Sequence, residues 1–225
     1  MSKLEIKICG ITRPEEIEYL NELKPDYAGF VIYAPSKRYV TPNQASELAS
    51  KLDPDIKRVA VLVSPDADFI SEVEEAGFAD ILQIHREFME DALKAATLPV
   101  WAAVNLSDMS AYEETMNHID ELPEDLSGKI TAIVADAPEF GSGKTFNWKS
   151  NDIKKNKRTL KAGTNSPPEM LFCLAGGLNA DNVSEGIKLF EPDIVDVSSG
   201  VEGEHGKDKE KIRMFIQNAR AADSI

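Results

Sequence analysis

The stretch LEIKICGITRPEEIEYLNELKPDYAGFVIY (residues 4–33) decides the fold, because it holds two short β-rich apolar runs around one amphipathic helical pattern. The runs are LEIKICG (4–10) and YAGFVIY (27–33). Between them, Thr12-Arg-Pro-Glu15 reads as a capping box with Pro14 inside the first turn. Ile17, Leu20 and Leu23 then share one face, and Pro25 stops the helix. Strand, helix and strand in this order form the unit from which parallel sheets are built.

The alternation continues to the C-terminus. RVAVLV (58–63), ILQIH (81–85), VWAAVNL (100–106), ITAIVAD (130–136), LFCLAGG (171–177) and IVDVSSG (194–200) bring the count of such runs to eight. Their ends, at Cys9, Tyr33, Val63, His85, Asn105, Asp136, Gly177 and Ser199, lie 20 to 41 residues apart, room for a helix and two loops each. Ala45, Leu48, Ala49 and Leu52 follow Thr41-Pro42 at helical spacing, and Phe69, Val73 and Ala76 follow Ser64-Pro65 and end at Gly77. Val183, Ile187 and Phe190 make another stripe, as do Ile212, Phe215, Ile216 and Ala219. Eight βα units without a compositional break predict an α/β fold, a single (β/α)8 TIM barrel over residues 1–225, with an open doubly wound sheet as the alternative. The segment 149–168 is too polar to bury a wide face and reads as a short helix and a loop, its six basic residues as solvated surface.

Composition narrows the function. With 42% hydrophobic and 28% charged residues the chain is an ordinary globular one, and Lys+Arg 25 against Asp+Glu 39 gives a net charge of −14. That balance argues against nucleic acid or an anionic membrane as partner, so an anionic ligand needs a local positive site. No apolar run approaches the roughly 18 residues of a membrane span. Charges interrupt the N-terminus where a signal peptide would be apolar, and a cytoplasmic location is expected. Cys9 and Cys173 form neither a disulfide framework nor a metal motif.

In such a barrel, chemistry resides at the C-terminal ends of the strands. Side chains alternate across a strand, so Lys7 and Cys9 point inward while Ile6 and Ile8 face the helices. The ammonium favours thiolate and burial favours thiol, and an inert core cysteine is the other reading of Cys9. Asp136 ends the sixth run beside FGSGKTF (140–146), where apolar walls can keep a carboxylic acid protonated as a general acid, although capping a loop is the plainer role. Asp196 and Ser198 share one inward face, as do Gln83 and His85. Gly176-Gly177 and Ser199-Gly200 end the seventh and eighth runs, the usual phosphate site of this fold, although glycines also simply turn the chain.

Several motifs in order, KICGIT (7–12), GFV with SKRYV (29–31 and 36–40), QIH (83–85), Asp136 with GSGKTFNW (141–148), LAGGLN (174–179), DVSSGVE (196–202) and GKD (206–208), resemble phosphoribosylanthranilate isomerase from end to end. The resemblance implies rearrangement of N-(5'-phosphoribosyl)anthranilate to 1-(2-carboxyphenylamino)-1-deoxyribulose 5-phosphate in tryptophan biosynthesis. It assigns the general base to Cys9, the general acid to Asp136, the anthranilate carboxylate to Arg38 and the phosphate to Gly176-Gly177 and Ser199-Gly200. Asp196 would lie near the substrate amine, with Lys7, Gln83 and His85 as further substrate contacts. No metal or redox cofactor is expected, and the only partner expected is a small phosphorylated substrate, for a monomer or homodimer. The chain departs from the family at Arg86, where glycine is usual. The alternatives are another sugar-phosphate isomerase or epimerase on the same barrel, and a non-catalytic phosphate-binding scaffold.

Overall fold

The computed structural model describes residues 3–85, 90–105, 109–136 and 170–223. Eight parallel strands close into a barrel in sequence order, each paired with the next and the eighth with the first. They are β1 (Glu5–Cys9), β2 (Tyr27–Val31), β3 (Lys57–Val63), β4 (Ile81–His85), β5 (Val100–Asn105), β6 (Ile130–Asp136), β7 (Leu171–Leu174) and β8 (Ile194–Val197). The helices are α1 (Pro14–Leu23), α2 (Pro42–Ala49), α3 (Ala67–Glu75), α4 (Glu90–Ala95), α5 (Met109–Glu121), the single turn α6 (Glu124–Ser127), α7 (Val183–Phe190) and α8 (Lys209–Asp223). A 3-10 turn, Ser199–Val201, and a hairpin of β9 (Glu202–Gly203) and β10 (Gly206–Lys207) join β8 to α8. The doubly wound alternative is thereby excluded. The GSGKTFNW motif, Arg86 and the segment 149–168 lie outside the described residues.

Two layers of side chains hold the barrel. The outward residues of the strands and the apolar helix stripes form one continuous core, in which Ile17, Leu20, Ala45, Val73, Val183, Phe190, Ile212 and Phe215 are buried as their spacing requires. Inside the barrel a second cluster runs from Tyr27, Ile81, Trp101 and Ile194 through Val59, Val61, Ala103, Val134 and Cys173 up to Cys9 and Ala175. Tyr27 packs edge-on against Trp101 with centroids 4.9 Å apart, and its hydroxyl donates to Glu5 Oε2 at 2.6 Å. The interior below the C-terminal mouth is therefore a packed core among the described residues.

Two helix starts differ from the sequence reading. The carboxylate that reaches back at α1 is Glu16, which accepts from the N–H groups of Thr12 (2.7 Å) and Arg13 (3.2 Å), whereas Glu15 pairs with Arg13 Nε at 3.2 Å. Pro14 occupies the first helical position, so the capping box falls one residue later than Thr12 and Glu15 suggest. At α3, Asp66 caps the helix by accepting from Phe69 N at 2.8 Å, and Ser64 takes a left-handed φ of 44° in the turn before it. α2 starts behind Thr41-Pro42 as its stripe indicates and adds a reciprocal box: Thr41 Oγ1 accepts from Gln44 N and Gln44 Oε1 from Thr41 N.

Candidate active site

The strand ends that alternation turns inward surround one cavity of about 360 Å³ at the C-terminal mouth. Cys9 from β1, Gln83 and His85 from β4, Asp136 from β6, Gly176 and Gly177 after β7, and Asp196 and Ser199 from β8 and the turn behind it line it. Arg38 enters from the β2–α2 loop, together with Tyr33, Ser36 and Lys37. Of the residues expected in the site, Lys7 and Gly200 are not part of this wall.

Lys7 lies one inward position below Cys9, is fully buried, and donates to Asp196 Oδ2 at 2.8 Å. Burial, the largest single influence, opposes its positive charge, but the Asp196 carboxylate together with the two buried cysteines more than offsets it and holds Lys7 as an ammonium. Asp196 itself belongs to the cavity wall, and its other oxygen, Oδ1, is buried with no hydrogen-bond partner among the described residues. The sequence could show that Lys7 faces inward but not that a partner two strand positions from the mouth would consume its charge.

Cys9 is registered opposite Gly29 on β2, and the absence of a side chain there makes room for the thiol: a Cβ at Gly29 would come within 2.8 Å of Sγ. Burial pushes the Cys9 thiol up from its ordinary 9.0, Lys7 pulls it down, and Asp196 adds to the rise. The net direction is upward, so the resting site holds a thiol. Cys173, deeper in the barrel, is pushed up further by burial and packs as an inert core residue.

Arg38 is buried, its Nε donates to Glu202 Oε1, and its Nη2 has no partner among the described residues. Glu202 also pairs with Lys207 at 3.1 Å and Lys37 at 3.0 Å. Although burial raises its pKa, these cations bring it down from 4.5 to about 2. On the fourth strand, Gln83 Nε2 lies 2.8 Å from His85 Nε2; with the amide donating, the imidazole proton sits on Nδ1 and Gln83 Oε1 is left as an open acceptor.

The glycine loops are shaped for close backbone approach. Gly176 and Gly177 adopt φ of 79° and 69°, the left-handed region that favours glycine. Asn182 Nδ2 holds the carbonyl of Gly177 at 3.0 Å, and Asn179 Oδ1 accepts from the N–H groups of Asp181 and Asn182 at the start of α7. Gly200 sits behind the wall: a Cβ there would lie 1.9 Å from Leu178 O, so glycine is what lets the β8 loop close on the β7 loop. Among the described residues no group of three His, Cys, Asp or Glu could hold a metal ion, and no helix is long and apolar enough to cross a membrane.

A closed barrel whose mouth joins a thiol, a carboxyl group and a guanidinium to two glycine loops places the chain among the (β/α)8 barrel enzymes, whose active sites lie at this end of the strands. The model of the N-(5'-phosphoribosyl)anthranilate isomerase family matches residues 6–218. The isomerase of that name from Clostridium acetobutylicum is 40% identical, over 96% of this chain and 98% of its own. The crystal structure of the Thermotoga maritima phosphoribosylanthranilate isomerase superposes with a TM-score of 0.79 at 35% identity, covering 97% of this chain and 99% of that one. A family member solved in complex with reduced 1-(o-carboxyphenylamino)-1-deoxyribulose 5-phosphate gives 0.77 at 32% identity, with the same coverage. The chain belongs to the N-(5'-phosphoribosyl)anthranilate isomerase family.

Proposed function

We propose that the chain isomerises N-(5'-phosphoribosyl)anthranilate to 1-(2-carboxyphenylamino)-1-deoxyribulose 5-phosphate, with Asp136 as general acid and Cys9 as general base. The observation that carries this reading is that the two groups, from β6 and β1, share one cavity with Arg38 and both glycine loops. The rearrangement needs an acid and a base at once. Asp136 delivers a proton to the furanose ring oxygen as the C1–O bond breaks and the nitrogen lone pair forms an iminium. Cys9, as thiolate, then removes the proton from C2, whose electrons form the C1–C2 double bond of the enolamine. Protonation at C1 with loss of the C2 hydroxyl proton then gives the 2-ketone.

The rest of the wall suits the substrate's ends. Arg38 offers Nη2 to the aromatic carboxylate, and Asp196 offers Oδ1 to the amine N–H. Gly176, Gly177 and Ser199 present backbone to the phosphate, and Gln83 Oε1 is placed to accept from a sugar hydroxyl. Because burial favours the thiol, the thiolate is a minority form in the empty site, and Lys7 and Lys207 are the charges that make it accessible.

The test is to supply the purified protein with freshly generated substrate and to follow the sugar by NMR. A methylene at C1 beside a ketone at C2 is expected, at a rate unaffected by a chelator. Comparable turnover of sugar phosphates without the anthranilate ring would point instead to a general sugar-phosphate isomerase.

A further inference from the structure

Arg38 is held by a residue that does not itself line the cavity. Glu202, at the start of β9, takes Arg38 Nε on Oε1, and the same oxygen accepts from Lys207 Nζ at 3.1 Å. Its other oxygen, Oε2, accepts from Lys37 Nζ at 3.0 Å. The two cations that share Oε1 are buried, at 8% and 7% exposure, whereas the Lys37 side chain is 69% exposed. Lys207 continues the chain of contacts to Ser198 O at 3.0 Å and Ser198 Oγ at 3.3 Å, and Ser198 Oγ donates to Cys9 O at 3.0 Å. The β9–β10 hairpin is thus fastened to the ends of β8 and β1 and to the β2–α2 loop.

A guanidinium is a rigid planar fork on a flexible stem, so tying Nε to a fixed oxygen sets the plane in which the remaining donors lie. Here that leaves Nη2 buried and unpartnered at the cavity wall. We propose that Glu202 is a positioning residue for substrate binding, orienting Arg38 so that Nη2 meets the aromatic carboxylate. The proposal rests on the isomerase reading above. The negative charge of Glu202 by itself repels an anionic substrate, so what it contributes is orientation of Arg38, which makes charge and geometry separable by mutation.

The experiment compares E202Q and E202A, each alone and with R38A, by steady-state kinetics on N-(5'-phosphoribosyl)anthranilate. Gln retains Oε1 for Arg38 and Lys207 and turns its amide towards the solvated Lys37, so E202Q is expected to keep KM within about threefold of wild type. E202A is expected to raise KM by about tenfold or more with kcat within about threefold, and to change KM by less than about twofold once Arg38 is already Ala. An unchanged KM in E202A overturns the proposal, as does a KM that falls in both variants, the signature of repulsion alone. So does the same multiplicative effect of E202A with and without Arg38, the signature of a purely structural role. If E202A fails to fold, E202D withdraws the carboxylate by one carbon while keeping its charge, and a wild-type KM there is the overturning result. Failure of the wild type to convert this substrate sinks the functional reading and the proposal together, whereas wild-type turnover with an indifferent Glu202 sinks the proposal alone.

Discussion

Cys9 carries the sharpest conflict between its environment and the task proposed for it. Burial pushes its thiol upward and a general base must be thiolate, with Lys7, Asp196 and Lys207 as the charges around it. Alkylation of Cys9 by iodoacetamide, followed by mass spectrometry, is expected to accelerate with pH and still be rising at pH 9; a plateau by pH 8 would show a thiol pulled down instead. Arg38 makes the opposite kind of contribution. A charge-assisted hydrogen bond of about 1.5–3 kcal/mol present in both ground and transition states predicts that Arg38→Ala raises KM by roughly 10- to 100-fold and leaves kcat within a few fold. A loss confined to kcat would remove the carboxylate from its reach. At this scale the sequence was legible wherever alternation alone decides direction, which is why Cys9, Gln83, His85, Asp136 and Asp196 all face the cavity. It did not show that Lys7 pairs with Asp196, because that contact is made between β1 and β8.

The connection from β8 to α8 is the element on which the site depends most. Its 3-10 turn brings Gly200 against Leu178 O, where a Cβ would lie at 1.9 Å, and neither backbone can yield without parting the two loops. Gly200→Ala is therefore expected to destabilise the fold by about 1–3 kcal/mol and to weaken competitive inhibition by inorganic phosphate. Unchanged inhibition would mean that the loops do not hold the phosphate. The hairpin that follows predicts a pH dependence. The Glu202 carboxyl titrates near 2 in the fold against 4.5 ordinarily, so the folded state binds its proton less readily than the unfolded state. Its stabilising contribution is complete above about 4.5 and disappears as pH falls towards 2. The difference in urea midpoint between wild type and E202Q is expected to shrink across that window, and a constant difference from pH 6 down to pH 3 would refute it. The strand–helix alternation and apolar stripes were readable because burial writes them as a period, whereas the starts of α1 and α3 were missed because several adjacent residues there could cap. Glu202 lay inside a quoted motif, yet its pairing with Arg38 spans 164 residues and becomes visible only once the barrel closes.

For the molecule as a whole, the two apolar layers separate stability from chemistry. Apart from Leu178, the helix-facing core and the lower barrel interior around Tyr27 and Trp101 do not line the cavity, whereas Cys9 and Asp136 stand on its wall. The net charge of −14 sharpens the same division, since among the described residues of the cavity wall Arg38, Lys37 and the glycine loops are the groups suited to the proposed anionic substrate. Replacing Cys9 or Asp136, the proposed base and acid, is accordingly expected to leave the barrel folded. The measurement that tests the account most directly is kcat for wild type, Cys9→Ala and Asp136→Asn on freshly generated N-(5'-phosphoribosyl)anthranilate, with folding checked by thermal unfolding. The account predicts conversion by wild type and a loss of about 10²–10⁴-fold in each folded variant, as removal of a general base or acid requires. Near-wild-type kcat in either folded variant would contradict it.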